Sequence, residues 1–274
     1  MTNMLKKIVF AAVLLAFAAC SRDAVYYNNR AYTYNGKGDY DQAIAESTKA
    51  IGLDPNLASA YNNRGLAYNE KGEYDRAIAD LNKAIRLEPN AIGYYNRGDA
   101  YSGKGEYDRA IADYTQAIRL DPKDAESYTK RGVAYNEKGE YDRAIADLNE
   151  AIRLDPNAVG YYCRGNAYRD KGEWDRAIAD YTSAIQLSPK QSVFYNNRGA
   201  AYNEEGEYDR AIADLNEAIR LDPDYENPYR HRAFAHMNKG NFTQARTDVN
   251  RALQINPDYQ NAQTLSAELR QKGY

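Results

Sequence analysis

The 274-residue sequence holds two thiols, Cys20 and Cys163, and two imidazoles, His231 and His236, so metal ligation and nucleophilic catalysis have few places to begin. The histidines stand five residues apart and do not share a helix face; His236 takes a position filled elsewhere by tyrosine, which reads as packing. Cys163 sits in the string YYCRG, which also occurs as YYNRG, a small replacement of asparagine. The Gly-Lys pairs ending at Lys37 and Lys104, and Lys239 before Gly240, lack the upstream glycine spacing and the following Ser or Thr of a phosphate loop, and read as turns. No nucleophile, base and orienting group can be assembled from these residues, so the expectation is a non-catalytic chain with no cofactor and no metal. A net charge of -3 gives no electrostatic argument for nucleic acid.

The elements that must position any site come from one stretch, RGVAYNEKGEYDRAIADLNEAIRLDP, running from Arg131 to Pro156 and returning with small edits along the chain. After Gly139, residues Tyr141, Ala144, Ile145, Leu148, Ala151, Ile152 and Leu154 fall at spacings of three and four, one face of a helix, with Asp142, Arg143, Asp147 and Arg153 opposite. Before Gly139, Tyr128, Gly132 and Tyr135 mark a first helix. Gly139 suits the left-handed end of that helix, and Asp155-Pro156 closes the second. Gly132, Ala144 and Ala151 allow close helix approach. Helices this short need a neighbour on their apolar face, so the unit requires copies of itself.

The copies are present. Ala31, Gly65, Gly98, Gly132, Gly165, Gly199 and Ala233 recur at intervals of 34, 33, 34, 33, 34 and 34, a solenoid period. With Tyr128, Gly132, Tyr135, Ala144, Leu148, Ala151 and Pro156 as its pattern, the unit resembles the tetratricopeptide repeat. That resemblance implies an all-α, right-handed superhelical solenoid of seven helix pairs, over residues 24–57, 58–90, 91–124, 125–157, 158–191, 192–225 and 226–259. A capping helix over 260–274, with Ala262, Leu265 and Leu269 as its apolar stripe, covers the last pair.

One departure recurs in every unit. Arginine stands where the family has leucine before the first-helix glycine (Arg30, Arg64, Arg97, Arg131, Arg164, Arg198, Arg232), and an acid recurs on the second helix (Glu46, Asp80, Asp113, Asp147, Asp180, Asp214, Asp248). The pairing predicts a ladder of Arg–carboxylate bonds between helices, so charge reversal at Asp147 should destabilise the fold. A second period sits above the first. NE(K/E)GEYDRAIADLN marks the second, fourth and sixth units; the third and fifth share GYY(N/C)RG and ADYT and follow the 33-residue steps. Gly93 and Gly160 are expected to supply a permissive backbone for these shortened connections.

Residues 1–19 read as an export signal: Lys6 and Lys7 precede an apolar run, Ile8 to Ala19, shorter than the roughly 20 residues that span a bilayer. The run ends Ala16-Phe17-Ala18-Ala19-Cys20, resembling a bacterial lipobox with Phe17 in place of the usual aliphatic residue. Lipidation at Cys20 is the expectation, with residues 20–23 as a short tether, and Ser21 by resemblance favours the outer membrane.

The family resemblance also implies a concave groove. Its positions here are Asn28, Asn29, Asn62, Asn63, Tyr95, Asn96, Tyr162, Asn166, Asn196 and Asn197, with Tyr32, Asn69, Asn136 and Asn203 beside them and Glu70, Glu137, Asp170 and Glu204 along one edge. Asparagine offers a donor and an acceptor together, which matches an extended peptide backbone; family members with an asparagine ladder hold peptides this way. The cationic clamp of chaperone-binding relatives is absent, with Asn28 and Tyr32 in its first two places. The chain looks like bacterial envelope lipoproteins built from these repeats, which serve pilus or secretin assembly or present proteases and cell-wall hydrolases. The expected function is an interaction scaffold binding a protein or peptide in the groove, held to the periplasmic face of the outer membrane by an N-terminal lipid. The alternative is a soluble periplasmic binding protein or a regulatory subunit of an envelope enzyme.

Overall fold

The computed structural model describes residues 22–273; the segment carrying the expected signal peptide and Cys20, and the final residue, lie outside the described residues. Helix α1 covers 22–36. It is followed by α2 (Tyr40–Leu53), α3 (Ala58–Glu70), α4 (Tyr74–Leu87), α5 (Ala91–Gly103), α6 (Tyr107–Leu120), α7 (Ala125–Glu137) and α8 (Tyr141–Leu154). Then come α9 (Ala158–Lys171), α10 (Trp174–Leu187), α11 (Ser192–Glu204), α12 (Tyr208–Leu221), α13 (Glu226–Asn238), α14 (Phe242–Ile255) and α15 (Gln260–Gln271). The order is seven helix pairs and a capping helix, as the repeat predicts.

Local chemistry sets both ends of each pair. Between the two helices stands a glycine at positive φ, for example 74° at Gly72 and 74° at Gly139. There the Gly72 N–H donates to Asn69 O at 2.9 Å and the Glu73 N–H to Tyr68 O at 2.8 Å, satisfying carbonyls that the helix end would leave orphaned. At the far end Glu88, Asp121 and Asp155 are extended, the conformation forced on a residue that precedes proline.

The described chain forms two compact units, one through Ala134 and one from Tyr135 onward. In the first, α3 pairs with α4 and α5 with α6, while α2 packs on α3 and α4 on α5. Its core includes Tyr68, Ala77, Leu81 and Ala100, and a second cluster of Ala110, Tyr114 and Ala134. In the second unit α9–α10, α11–α12 and α13–α14 form the pairs, and α15 packs against α14. Leu265 and Leu269 of α15 are buried against Ala233, Ala245 and Val249, which is the capping contact.

In four pairs the first-helix glycine sits directly under one large side chain. A Cβ on Gly65 would lie 2.7 Å from Leu81 Cγ, and one on Gly98 2.7 Å from Tyr114 Cε1; Gly165 meets Tyr181 and Gly199 meets Leu215 in the same way. The two-repeat period follows from this alternation of leucine and tyrosine. A buried tyrosine hydroxyl needs a partner, and the residue after the glycine supplies it: Tyr114 donates to Asp99 Oδ1 at 2.6 Å and Tyr181 to Asn166 Oδ1 at 2.8 Å. Burial beside Asp99 pushes the Tyr114 hydroxyl far above its usual pKa, so it stays protonated as the donor.

The expected carboxylate ladder is built in the pairs whose two members share a unit. Arg64–Asp80, Arg97–Asp113, Arg164–Asp180, Arg198–Asp214 and Arg232–Asp248 are bidentate, Nε and Nη2 each donating to one carboxylate oxygen at 2.6–2.9 Å. Arg30 reaches Glu46 through Nε at 3.2 Å. The carboxylates are buried, and the hydrogen-bonded partner beside each arginine holds its guanidinium charged, with a raised pKa at Arg64, Arg97 and Arg164. The bidentate arginines also spend Nη1 on the preceding repeat: Arg97 on Asn82 Oδ1 (2.6 Å), Arg164 on Asn149 Oδ1 (2.6 Å), Arg232 on Asn216 Oδ1 (2.5 Å), Arg64 on Thr48 Oγ1 (3.1 Å) and Arg198 on Thr182 Oγ1 (2.9 Å). One side chain thus ties three helices together.

The expectation for Gly93 and Gly160 is corrected. Neither has a positive φ; both lie in the first turns of α5 and α9. Asn90 and Asn157 cap these helices by accepting from Gly93 N at 2.8 Å and Gly160 N at 2.9 Å, a bond that a Ser, Asn or Asp side chain makes at a helix start. The glycines are small because a Cβ would come within 3.1 Å of Ile85 Cγ1 and 3.0 Å of Ile152 Cγ1. The short step is closed by a capped helix pressed onto its neighbour, not by an unusual backbone.

Candidate functional site

The asparagines and tyrosines of the first helices divide by what they touch. In the first unit Asn63 is buried and donates to Asn28 Oδ1 at 2.9 Å, and Asn96 is buried and donates to Asn62 Oδ1 at 3.0 Å. Asn29 is exposed, Asn28 and Asn62 are half-buried, and Tyr32 is 72% exposed. In the second unit Asn197 donates to Asn166 Oδ1 at 3.1 Å and to the Tyr162 hydroxyl at 3.2 Å; Asn196 donates to the Tyr225 hydroxyl at 3.3 Å. The amide donors of Asn63, Asn96, Asn196 and Asn197 are therefore spent on neighbouring repeats. Within each unit they form a polar seam under the first-helix face, where an unpaired buried amide would cost about 1–3 kcal/mol.

His231 belongs to the seam of the second unit. His231 Nδ1 lies 3.0 Å from Asn196 Oδ1, and the His231 carbonyl accepts from Asn203 Nδ2 at 2.9 Å. Burial, reinforced by Arg230 and Arg169, lowers the His231 pKa to about 3, so the imidazole is neutral. His236 is a different case: its Nδ1 is buried with no partner among the described residues. Cys163 is half-buried on α9. Among the described residues no group of three His, Cys, Asp or Glu is placed to hold a metal, and no helix is long and apolar enough to cross a membrane.

An open cleft lies at the start of α5, lined by Ile92, Tyr95, Asn96, Asp121, Asp124 and Glu126. Tyr95 packs on Tyr114 with ring centroids 6.0 Å apart and donates its hydroxyl to Glu126 Oε1 at 2.6 Å. Burial, Asp99 and Glu126 together keep that hydroxyl protonated, its pKa raised well above the normal tyrosine value. Asp124 is committed to capping α7, accepting from Ser127 N at 3.2 Å. Asp121 and Glu126 face the cleft with their charge, and Ile92 is 64% exposed beside them. The sequence brought Tyr95 and Asn96 to this place; Ile92 and the acids were not singled out. The available signal was Ile92 itself, an aliphatic residue at an outward position of a capped helix, matched 67 residues later by Val159, which is 58% exposed. Around Val159 the acids are replaced by Ser188, Gln191 and Val193, so the acidic cleft belongs to α5 alone of the two. Tyr162 there is packed between Phe194 at 5.0 Å and Tyr181 at 6.1 Å.

Stacked antiparallel helix pairs, locked in four cases by a glycine under a large side chain, define an α-helical repeat protein. The chain belongs to the tetratricopeptide repeat family. Tetratricopeptide repeat profiles match residues 58–90, 95–159 and 227–259, and a TPR repeat profile matches 31–70, 165–204 and 199–240. Among solved structures, a chain of the APC/C hetero-tetramer Cut9-Hcn1 superposes with a TM-score of 0.74 at 21% identity over 89% of this chain, which spans 48% of that one. A tetratricopeptide repeat protein from Parabacteroides merdae gives 0.70 at 18% identity, covering 91% of this chain and 99% of its own. YrrB, described as a TPR protein with an unusual peptide-binding site, gives 0.55 at 25% identity over 67% of this chain and 96% of its own. Among curated proteins no sequence matches this chain. The fold is that of a protein–protein interaction scaffold, and repeat proteins of this family are generally non-catalytic.

Proposed function

We propose that this chain is a non-catalytic adaptor of the bacterial cell envelope that holds a segment of a partner protein on its first-helix face. The observation that carries the binding site is the α5 cleft, where exposed Ile92 stands among Asp121, Glu126 and the tyrosine-anchored Tyr95. Asn29, exposed, and Asn28 and Asn62, half-buried, extend the polar face available to the backbone of the segment within the same unit. The peptide-binding site named for YrrB supports this reading of the fold. The envelope assignment rests on the apolar run ending at Cys20, and the lipid on that thiol is the proposed anchor.

The two parts are tested separately. A photo-crosslinking residue at Ile92 should capture the partner in envelope extracts, while one at Arg119, exposed on α6, should not; equal capture at both removes the cleft from the account. For the anchor, the mature N-terminus should carry the mass of an acylated Cys20, and a lipid-free N-terminus rules the anchor out.

A further inference from the structure

The residue two before the repeated arginine lies on the first-helix face, and along the chain it is spent on a neighbour. Asn28 and Asn62 accept from Asn63 and Asn96 of the next repeat, Tyr95 donates to Glu126, Tyr162 accepts from Asn197, and Asn196 donates to Tyr225. In α13 this position holds Arg230, and among the described residues Arg230 has no hydrogen bond and no ion pair. The reason is one of register. The next donor of the seam would stand 34 residues after His231, where α15 carries the buried, apolar Leu265.

Arg230 is nevertheless held in place. It is half-buried; its Nε lies out of reach of solvent with no acceptor, while Nη1 and Nη2 keep contact with water. Other half-buried arginines of the second unit are matched: Arg164, Arg198 and Arg232 each sit on a carboxylate, and Arg169 donates through Nε to Asp170 Oδ1 at 2.8 Å. A second observation puts excess positive charge here. Arg230 and Arg169 both lower the His231 pKa, so both guanidiniums act on one spot, and the imidazole there stays neutral. A buried donor left unmet costs about 1–3 kcal/mol, and more where the group is charged, so this guanidinium gains from an anion brought to its open tips.

We infer that Arg230 anchors an anion site on the first-helix face of the second unit, and that it takes a side-chain carboxylate from an acidic segment of a partner polypeptide. The chain itself shows the chemistry, since five of its arginines hold carboxylates through two parallel N–H bonds. A guanidinium presents donors in a fixed plane that matches the two oxygens of a carboxylate. At Arg230 the open pair is Nη1 and Nη2, and a buried stem has already lost the rotamer freedom that binding would otherwise cost. One partly exposed pair gains little alone, so the site adds to a partner's other contacts rather than selecting the partner by itself. It belongs to the second unit and the α5 cleft to the first, so either can fail without the other.

The full chain is titrated with acetyl-tetraglutamate amide, whose only carboxylates are side chains, with acetyl-tetraglutamine amide as control. Proton–nitrogen NMR reads the Arg230 Nε–H, which burial protects from exchange, and the His231 backbone amide beside it. The expected result is a saturable shift of both signals with tetraglutamate alone, and in Arg230→Gln a His231 shift reduced at least fivefold. Because Arg230 bonds to no described residue, Arg230→Gln should melt no lower than the parent chain, whereas Arg232→Gln, which loses its contact with Asp248, should melt lower. No saturable shift, equal shifts with tetraglutamine, an unchanged His231 shift in Arg230→Gln, or a clear fall in the melting temperature of that variant overturns the proposal. A phosphoserine tetrapeptide that saturates the shifts at lower concentration than tetraglutamate overturns the carboxylate assignment.

Discussion

At the residue scale the arginine of each first helix carries more than its pairing with an acid suggests. Removing Asp113, which is buried, would leave Arg97 without its bidentate partner, and breaking such a pair costs about 3–5 kcal/mol, so Asp113→Ala should lower the melting temperature sharply. Asn82→Ala, which removes only the third contact of Arg97, should cost about 1 kcal/mol; equal losses in the two variants would contradict this division. The arginine and the acid were legible because both recur in every unit. The third partner was not, because it alternates between threonine and asparagine, two residue types that repeat-averaging treats as variation. His231 gives a pH prediction of definite sign. Its folded pKa is about 3 against the ordinary value of 6.5, so the unfolded chain binds the extra proton and stability is lost as pH falls from about 6.5 towards 3. Thermal melts of His231→Asn, which restores the residue found at Asn63 and Asn197, should show a shallower loss over that window; an identical profile would mean that the imidazole is not held neutral.

At the scale of the element, the helix pair was readable almost to the residue. Its periodicity is strong, and its punctuation consists of glycine at positive φ and a residue before proline, both fixed by backbone sterics. Where the sequence reading went astray, at Gly93 and Gly160, it credited glycine with freedom when the reason was space. A lone sequence does not distinguish a left-handed glycine from a crowded one; the neighbour that crowds it, Ile85 or Ile152, is known only once the helices are packed. Gly98→Ala measures this directly. Its Cβ would meet the Tyr114 ring at 2.7 Å, and overpacking of this kind costs about 1–3 kcal/mol, whereas Gly36→Ala, with nothing within 4 Å, should be neutral or stabilising by calorimetry. The asparagine face shows the same limit. Its positions were legible, but whether each amide points to a partner or to the next repeat depends on the distance between helices, and Asn63, Asn96, Asn196 and Asn197 turn inward.

For the whole molecule, a repeat chain is held by neighbour contacts, so the last pair depends on its cap. Truncation after Tyr259 would uncover Val249 and forfeit the burial of Leu265 and Leu269, about 2 kcal/mol for each leucine; urea melts should show the second unit lose stability, and an unchanged midpoint would deny α15 its role. The residues that repeat are spent on this assembly, which leaves function to those that break the pattern, Ile92 with its acids foremost. The most direct test of that claim is selection of peptides from a random display library on the folded chain, followed by binding to Ile92→Asp, a substitution at an exposed position that leaves the core untouched. The account predicts selected peptides sharing an aliphatic or aromatic residue beside lysine or arginine, with affinity for Ile92→Asp reduced at least tenfold. Peptides without that pairing, or undiminished binding to Ile92→Asp, would contradict it.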